Sequence, residues 1–514
     1  MTLFKTKDLR YLQNGERFGG AFGKIFGSIL LKVANLDNCE VRSWTEEHSR
    51  QLKAFVPSAM TATQVPGVSI AVVQGGRMVY AEGFGVRSFG DAAPVTPLTR
   101  FMMGSAMKPL TTLMMARLVD QKKLSWSTPV AELLEDFSLA DQEITKRLEL
   151  RHTVSNSTGM PKRDAEFVFR HSGISAQARL AQMKTMRPTT GFGQTFQYSN
   201  YLVAAGGYAA ARAFSPDGRL EDAFKNAMTE LVFTPLGMND TFLYQDDALQ
   251  GEAALPHAID LEGCARAIPL HLERACESVA PAGTAWSTAP DLARYLLLEL
   301  GRGCMPGGLR LISEETLLER RKKGARIAEN FFYGLGLVIS EECGTQVVYH
   351  NGNTLGFSTD LYFLPEKDLG FVVLTNLRAA TYLLTAIRQK IFEIVFGAEP
   401  KAEETVQAAL KKRAWTAKVN SWVTTDPESM TWIDTLLGTY RSEELGSALI
   451  IKQEGHYWVQ FDEWTSALGS EISPDGVRLL YQTTPPWCGK KILISGSGEL
   501  VMDFGQCKYV FRRQ

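Results

Sequence analysis

The 514-residue sequence lacks the features that mark several large classes of protein. It contains no uninterrupted apolar run of the length that spans a bilayer, so no membrane-spanning helix is expected. Its 55 Lys and Arg residues are balanced by 56 Asp and Glu residues, and a net charge of −1 provides no basic field for a phosphate backbone. We therefore expect neither a membrane span nor a nucleic-acid partner.

Cysteine and histidine are both scarce. The seven cysteines are scattered and form no C-x-x-C pair, and the seven histidines show no H-x-x-x-H spacing. Disulfide frameworks and zinc sites need tighter groupings. The sequence therefore predicts reduced thiols, no metal and no other cofactor, and it favours a cytoplasmic protein.

Residues 1–45 are expected to form an N-terminal extension. The stretch 18–36 is apolar but is interrupted by Lys24 and Lys32, whereas a secretory signal needs an unbroken apolar core and a cleavage site. An amphipathic helix packed on the body is the favoured interpretation, and a membrane-surface segment is the alternative.

Residues 46–398 are expected to form one catalytic domain, with strand signals at both ends and helical patterns between them. The runs VSIAVV and RMVYAEGFG flank Gly75-Gly76, which predicts a hairpin near the start. Near the end, short β-branched and aromatic runs follow one another: YGLGLVI (333–339), TQVVYHNG (345–352), DLYFLP (360–365) and LGFVVLTN (369–376). This order predicts an α/β (α+β) fold, in which an antiparallel sheet closed by both ends is flanked by helices and carries an all-helical subdomain.

The remaining residues divide into a charged helical linker at 399–428 and a final block at 429–514. From Tyr440 onward, short strand-like runs recur about every ten residues with turn residues between them. The runs are ALIIKQ, HYWVQF, VRLLYQ, KKILIS, ELVMDF and KYVFRR. They predict a small C-terminal antiparallel β-barrel or sandwich.

Ser105 and Lys108 form the first candidate catalytic pair. Residues three apart at the start of a helix share one face, so Lys108 can reach the Ser105 hydroxyl. Serine is a poor nucleophile unless a neighbour removes its proton, and a lysine of lowered pKa can do so. The same spacing also arises by chance, as a helix cap beside a solvated lysine.

Two further segments complete the hypothesis. Tyr198 and Asn200 precede a helical run: a phenol oxygen near an ammonium can shuttle protons, and an amide can bind a substrate carbonyl and hold Lys108. On a late strand, Gly352 permits close backbone approach, and the N–H groups of Ser105 and Asn353 can then form an oxyanion hole. An ordinary aromatic at a helix start and a structural His350 are the alternatives, but the joint occurrence favours catalysis.

These segments resemble the β-lactamase-related serine hydrolases, which include class C β-lactamases, DD-peptidases, family VIII carboxylesterases and D-aminopeptidases. The similar text includes FMMGSAMKPLTTLMMARLVDQKKLSWSTPV, RHTVSNSTGMP, PAGTAWSTAPDLARYL and HNGNTLGFSTDLYFLPEKDLGFVVLTN, and it covers residues 46–398. The resemblance implies a β-lactamase/transpeptidase-like fold with Ser105 as nucleophile and Lys108 and Tyr198 as the general base pair. The final block more loosely resembles the lipocalin-like barrels of some members.

One departure from the family pattern bears on the substrate. Relatives often carry Lys-Thr-Gly where this chain has His350-Asn351-Gly352, so a fixed cation for a substrate carboxylate is missing. An unperturbed histidine, with a pKa of about 6.5, is mostly neutral at pH 7. This disfavours β-lactams and favours small esters, amides or thioesters with neutral partners.

The leading hypothesis is an esterase or amidase that uses a Ser105 acyl-enzyme and water. An acyltransferase, transesterase or peptide cyclase/thioesterase would use the same first step, and a non-catalytic scaffold of the same fold is the third alternative. Asn200, His350, Gly352 and Asn353 are the predicted substrate-binding residues. A homo-oligomer is compatible with the sequence.

Overall fold

A computed structural model describes residues 40–341, 344–473 and 476–514. The amphipathic helix predicted at 18–36 lies outside the described residues. The longer α-helices are α1 (Glu46–Thr63), α2 (Lys108–Asp120), α3 (Asn200–Phe214), α4 (Leu220–Met228), α5 (Ala289–Leu300), α6 (Thr381–Phe396) and α7 (Ala402–Asn420). Shorter α-helices span Val130–Leu133, Gln142–Arg147, Leu150–Val154, Asp164–Phe169, Ala176–Ala181, Thr234–Leu236, Gln245–Ala248, Ala280–Gly283 and Glu314–Glu319. The 3₁₀ segments are Gly104–Met107, Gln182–Thr185, Leu270–Val279, Pro365–Lys367 and Glu428–Leu436, and Thr229–Phe233 is a π-helical turn.

The first twelve strands build one large sheet and two small ones. They are β1 (Gly67–Gln74), β2 (Arg77–Gly85), β3 (Phe101–Met102), β4 (His257–Ile259), β5 (Ala265–Ala267), β6 (Trp286–Ser287), β7 (Ala325–Ala328), β8 (Phe331–Tyr333), β9 (Val338–Ser340), β10 (Val347–Asn353), β11 (Ser358–Leu364) and β12 (Leu369–Thr375). The eight-stranded sheet has the order β2-β1-β12-β11-β10-β9-β8-β7, while β3-β6 and β4-β5 form two-stranded sheets. The antiparallel pairing of β1 with β12 joins the two ends of the predicted domain, as expected.

Helices cover both faces of the large sheet. Side chains alternate along a strand, and β1 shows the consequence: Val68, Ile70 and Val72 belong to the core that includes α1 and α6. Ala71 and Val73 belong instead to the core that includes α5. The strand is therefore buried on both faces, which explains why apolar residues occupy consecutive positions from Ile70 to Val73.

One predicted strand is in fact two. The run YGLGLVI contributes its first residue to β8 and its last ones to β9, and a turn from Gly334 to Leu337 joins them. The turn is closed by a hydrogen bond of 2.8 Å from the Gly334 N–H to the Leu337 carbonyl. Gly336 has a φ of +73°, which a non-glycine residue rarely adopts.

A helical layer lies beside the sheet, with α3 at its centre. The residues from Tyr201 to Ala211 are all buried, and many of them are Ala or Gly. Side chains at Gly206 and Gly207 would collide with Thr153 and Pro281. These small residues therefore let α3 approach the segment around Pro281 closely, which brings that segment to the candidate site.

The C-terminal strands form a closed eight-stranded barrel. They are β13 (Gly438–Ser442), β14 (Gly446–Gln453), β15 (His456–Phe461), β16 (Thr465–Ile472), β17 (Arg478–Gln482), β18 (Lys491–Ile494), β19 (Leu500–Asp503) and β20 (Lys508–Arg513). Pairing of β13 with β20 closes the barrel, which confirms that alternative over the sandwich. The predicted mixed α/β architecture is thereby confirmed, while the domain limits 46–398, 399–428 and 429–514 stay predictions.

Among the helices within the described residues, none combines the length and the apolar character needed to cross a membrane.

Candidate active site

Ser105 lies on a 3₁₀ turn that runs directly into α2. The turn spans Gly104–Met107, and Lys108 is the first α-helical residue. Side chains three residues apart are eclipsed in a 3₁₀ turn, and the Lys108 Nζ is accordingly 2.8 Å from the Ser105 Oγ. The predicted proximity of these two side chains is present, although the α-helix begins later than expected.

Lys108 is fully buried among oxygen atoms of neutral groups. Besides Ser105, its Nζ contacts the Asn200 Oδ1 at 2.8 Å and the Ala282 carbonyl at 2.6 Å. Burial lowers the pKa of Lys108 to about 7, against the opposing attraction of Asp164. Burial is thus the main cause of the lowered pKa. A neutral amine has two N–H groups, which these two oxygens can accept, and its lone pair then faces Ser105.

Tyr198 approaches Ser105 from another segment. Its hydroxyl donates to the Ser105 Oγ at 2.8 Å, and the Lys108 Nζ is 4.8 Å from the centre of its ring. Burial raises the pKa of Tyr198 well above that of an ordinary tyrosine, so the phenol keeps its proton at neutral pH. The protonated phenol is suited to donate a proton, and the predicted place of Tyr198 in the general base pair stays a prediction.

Asp164 is a member of the cluster that sequence reasoning missed. Its two carboxylate oxygens accept from the Asn200 Nδ2 at 3.0 and 3.1 Å, and Lys162 forms an ion pair with it at 3.2 Å. Because a carboxylate only accepts, the amide of Asn200 is fixed with its nitrogen toward Asp164 and its oxygen toward Lys108. Asp164 lies just after Met160-Pro161, the end of one of the segments that resemble the family. No local sequence pattern links it to Asn200.

His350 lies behind the cluster rather than within it. Its Nε2 is 2.9 Å from the Tyr333 hydroxyl, and its Nδ1 is 2.7 Å from the Asn351 carbonyl. A carbonyl only accepts, so Nδ1 carries the hydrogen and Nε2 accepts from Tyr333. Burial and the nearby Lys108 lower the pKa of His350 to about 3. The ring is neutral, and both of its nitrogens are engaged by protein groups.

Gly352 and Asn353 bring the end of β10 against the Ser105 turn. A side chain at Gly352 would collide with the Met103 carbonyl, and the Cβ of any residue replacing Gly104 would lie 2.9 Å from the Asn353 nitrogen. Gly104 has a φ of +53°, in the left-handed region. Glycine is therefore needed on both sides of this contact, which brings the Asn353 backbone close to Ser105.

The structure thus joins Ser105, Lys108, Tyr198 and Asn200 in one hydrogen-bonded cluster. Gly352 and Asn353 border that cluster, and His350 packs against Tyr198 with a distance of 6.4 Å between ring centres. A serine hydroxyl, an amine of lowered pKa and a protonated phenol in direct contact can exchange protons with one another.

The chain is similar to several known proteins. The sequence profile of the family described as Beta-lactamase matches residues 52–392. An unguisins hydrolase from Aspergillus campestris is 28% identical over 337 residues, which cover 62% of this chain and 60% of that protein's length. Penicillin-binding protein 4 from Amycolatopsis lactamdurans is 24% identical over 343 residues, covering 64% of this chain and 86% of its own.

The similarity extends to a solved structure. The octameric penicillin-binding protein homologue from Pyrococcus abyssi aligns with a TM-score of 0.60 and 18% sequence identity. The alignment covers 90% of this chain and 100% of that one, so the shared fold includes the C-terminal region.

Proposed function

The chain belongs to the beta-lactamase family, and we propose that it is a serine hydrolase that cleaves esters or amides through an acyl-enzyme at Ser105. One observation carries the proposal: the Ser105 Oγ is 2.8 Å from both the Lys108 Nζ and the Tyr198 hydroxyl. The first group is suited to accept a proton and the second to donate one.

In the proposed acylation step, neutral Lys108 accepts the Ser105 proton as Oγ attacks the substrate carbonyl carbon. Collapse of the tetrahedral intermediate breaks the bond to the leaving group, which takes a proton from Tyr198. The Lys108 ammonium then restores the phenol proton. Water attacks the resulting ester with proton removal by the same pair, which releases the acid and regenerates Ser105.

The intermediate's negative oxygen needs donors, and the backbone N–H groups of Ser105 and Asn353 are suited to this role. The Thr354 N–H bonds to the Phe357 carbonyl at 3.0 Å within the β10–β11 hairpin. Hydrogen-bonded pairs alternate along an antiparallel ladder, so the N–H of Asn353 points away from β11. That direction leads toward the Ser105 turn.

Because His350 is neutral, we infer that the substrate does not need a carboxylate on its leaving group. Its two nitrogens are held by Tyr333 and the Asn351 carbonyl, so it offers no fixed cation to an anionic group. The name of the fungal relative, an unguisins hydrolase, also supports hydrolysis as the reaction. Because this chain spans only 60% of that protein's length, the substrate named there is not transferred to this chain.

A covalent probe tests the proposal. We expect a fluorophosphonate to label the wild-type protein on the peptide that contains Ser105, and to leave Ser105→Ala unlabelled. Turnover of p-nitrophenyl esters and D-amino acid amides should exceed that of nitrocefin. Absence of labelling in a folded wild-type protein would instead support a non-catalytic scaffold.

Competition between water and an added amine distinguishes hydrolysis from acyl transfer. A p-nitrophenyl ester is incubated with increasing concentrations of hydroxylamine. At low amine concentration, we expect the free acid as the main product. If a millimolar amine captured nearly all of the acyl group, the acyltransferase alternative would replace hydrolysis.

A further inference from the structure

One end of the barrel is in contact with the remainder of the chain through each of its loops. These are the β13–β14, β15–β16, β17–β18 and β19–β20 loops. Their contacts, in the same order, are Arg170 Nη1 to the Glu443 carbonyl at 3.3 Å, Ser172 Oγ to Glu463 at 2.7 Å, Arg378 Nη1 to the Pro486 carbonyl at 3.0 Å, and the Lys162 N–H to Gln506 at 2.7 Å. The loops that join β14 to β15 and β18 to β19 lie at the opposite end.

Three of these contacts fall on residues 162–172, which also carry Asp164. Phe169 of this segment lies inside a group of barrel aromatic rings, 4.3 Å from Trp464 and 5.0 Å from Phe461 between ring centres. The same segment bonds to Asn200 through Asp164. The barrel therefore supports the part of the chain that orients a member of the catalytic cluster.

Gln506, at the tip of the β19–β20 hairpin, bonds to two residues that adjoin the catalytic cluster. Its Oε1 accepts from the Lys162 N–H at 2.7 Å and from the Gln197 Nε2 at 3.5 Å. Gln197 directly precedes Tyr198, and Lys162 pairs with Asp164. Gln197 is buried and Lys162 is half-buried, whereas Gln506 is exposed at the surface beside them.

The orientation of the Gln506 amide follows from its partners. Both neighbours donate, so the atom facing them must be the oxygen, and the NH₂ group is turned away from both. Nearby, the Asp164 and Lys162 side chains are 24% and 34% exposed and offer an acceptor and a donor. Donors and acceptors of these kinds are the groups that bind the carbonyl and N–H groups of an amide.

We propose that Gln506 is a specificity-determining residue supplied by the barrel, whose NH₂ group donates to a carbonyl oxygen in the acyl part of the substrate. The site would then take peptide-like acyl groups that carry an amide beyond the bond being cleaved. This inference rests on the proposed function of Ser105. It gives the barrel a direct role in substrate selection.

Two esters with the same leaving group test the inference: p-nitrophenyl acetate and the p-nitrophenyl ester of N-acetylglycine. Gln506→Ala removes the whole amide, whereas Gln506→Glu keeps an acceptor for Lys162 but loses the donor. Both variants should lower kcat/KM for the N-acetylglycine ester about 3- to 10-fold, the worth of one hydrogen bond, and leave the acetate within about twofold. Gln453→Ala, an exposed glutamine at the far end of the barrel, is the matched control and should change neither.

Three results would overturn the inference. Gln506→Glu could retain the wild-type preference, which would reduce the residue to a support for Lys162. Both esters could decline equally, which would indicate a structural effect, or neither could change. If wild-type Ser105 is acylated by neither ester, the proposed function itself fails, and that result is distinguishable because no variant is needed to see it.

Discussion

Two fully buried basic side chains, Arg320 and Lys108, lie at the first turn of α2, and their surroundings differ. Arg320 bonds to the Pro109 carbonyl at 2.7 Å and forms an ion pair with Glu299 at 2.7 Å. Lys108, one residue before Pro109, bonds to three neutral oxygens: those of the Ser105 hydroxyl, the Asn200 amide and the Ala282 carbonyl. Arg320 therefore has a carboxylate in direct contact, whereas no carboxylate among the described residues forms an ion pair with Lys108.

The consequences for proton binding are opposite. Burial alone would raise the pKa of Glu299, but Arg320 and Arg321 outweigh burial and hold that pKa at about 2. Burial lowers the pKa of Lys108 to about 7 because the charge of Asp164, whose carboxylate is bonded to Asn200 and Lys162, offsets the effect of burial only in part. The comparison teaches that burial makes a base only where a direct counter-ion is withheld. The ion cluster is expected to stabilise the fold, and the lysine to support chemistry.

Replacing Lys108 by Met should have the largest effect on activity. The variant keeps a long apolar chain but removes the proton acceptor, so kcat/KM should decrease about 10²- to 10⁴-fold. Its melting temperature should equal or exceed that of the wild type, since a polar group is removed from the core. Steady-state kinetics and thermal denaturation measure the two quantities. A large loss of stability would instead indicate that Lys108 has a structural role, like the ion cluster of Glu299.

Glu299→Gln should show the reverse pattern. Two guanidinium groups would lose their buried counter-ion, and the free energy of unfolding should decrease by about 3–5 kcal/mol. The kcat of the folded fraction should stay within about twofold, because Glu299 does not contact the candidate site. Urea denaturation followed by fluorescence provides the measurement. A variant of unchanged stability would contradict the structural role of the cluster.

Tyr198→Phe should lower the rate by an amount that depends on the leaving group. Amides need a proton on the departing nitrogen, so their kcat should decrease about 100-fold or more. Esters of p-nitrophenol release a stable anion, so their kcat should decrease less. Comparing the two substrate types in one variant tests Tyr198 as the donor, and equal losses would count against that role.

Asp164→Asn is expected to give the smallest change. The negative charge of Asp164 raises the pKa of Lys108, so its removal should lower that pKa and move the acidic limb of the kcat/KM profile to lower pH. The other charged and titratable groups that act on Lys108 are Lys162 and Cys276. A pH profile of the variant, with Glu299→Gln as a control whose limb should not move, checks the direction.

Local patterns in the sequence predicted a large part of this arrangement. The Ser105–Lys108 spacing and the helix start after Tyr198 each depend on a few neighbouring residues, so both could be predicted from the sequence. The barrel strand β16 was missed because its sequence, TSALGSEI, consists mainly of small and polar residues without apolar alternation. Loop contacts between distant segments, such as that of Gln506 with Lys162, have no sequence periodicity at all.

The partners of the site were harder to predict than its members. Asp164 bonds to Asn200 across 36 residues, and Tyr333 bonds to His350 across 17, and neither separation corresponds to a helical or strand repeat. Sequence reasoning correctly expected a mostly neutral His350. Its burial and its two hydrogen bonds depend on the packing of β8 against β10 through β9, which only the folded chain reveals.

The rate at which Ser105 is acylated, measured against pH, tests the central claim most directly. Only the neutral amine of Lys108 can accept the Ser105 proton, so raising the pH through about 7 should activate the enzyme. With a fluorophosphonate, the wild-type labelling rate should increase about tenfold per pH unit below that value and become constant above it. Lys108→Met should lack this transition. A rate independent of pH, or the same transition in the variant, would contradict the account.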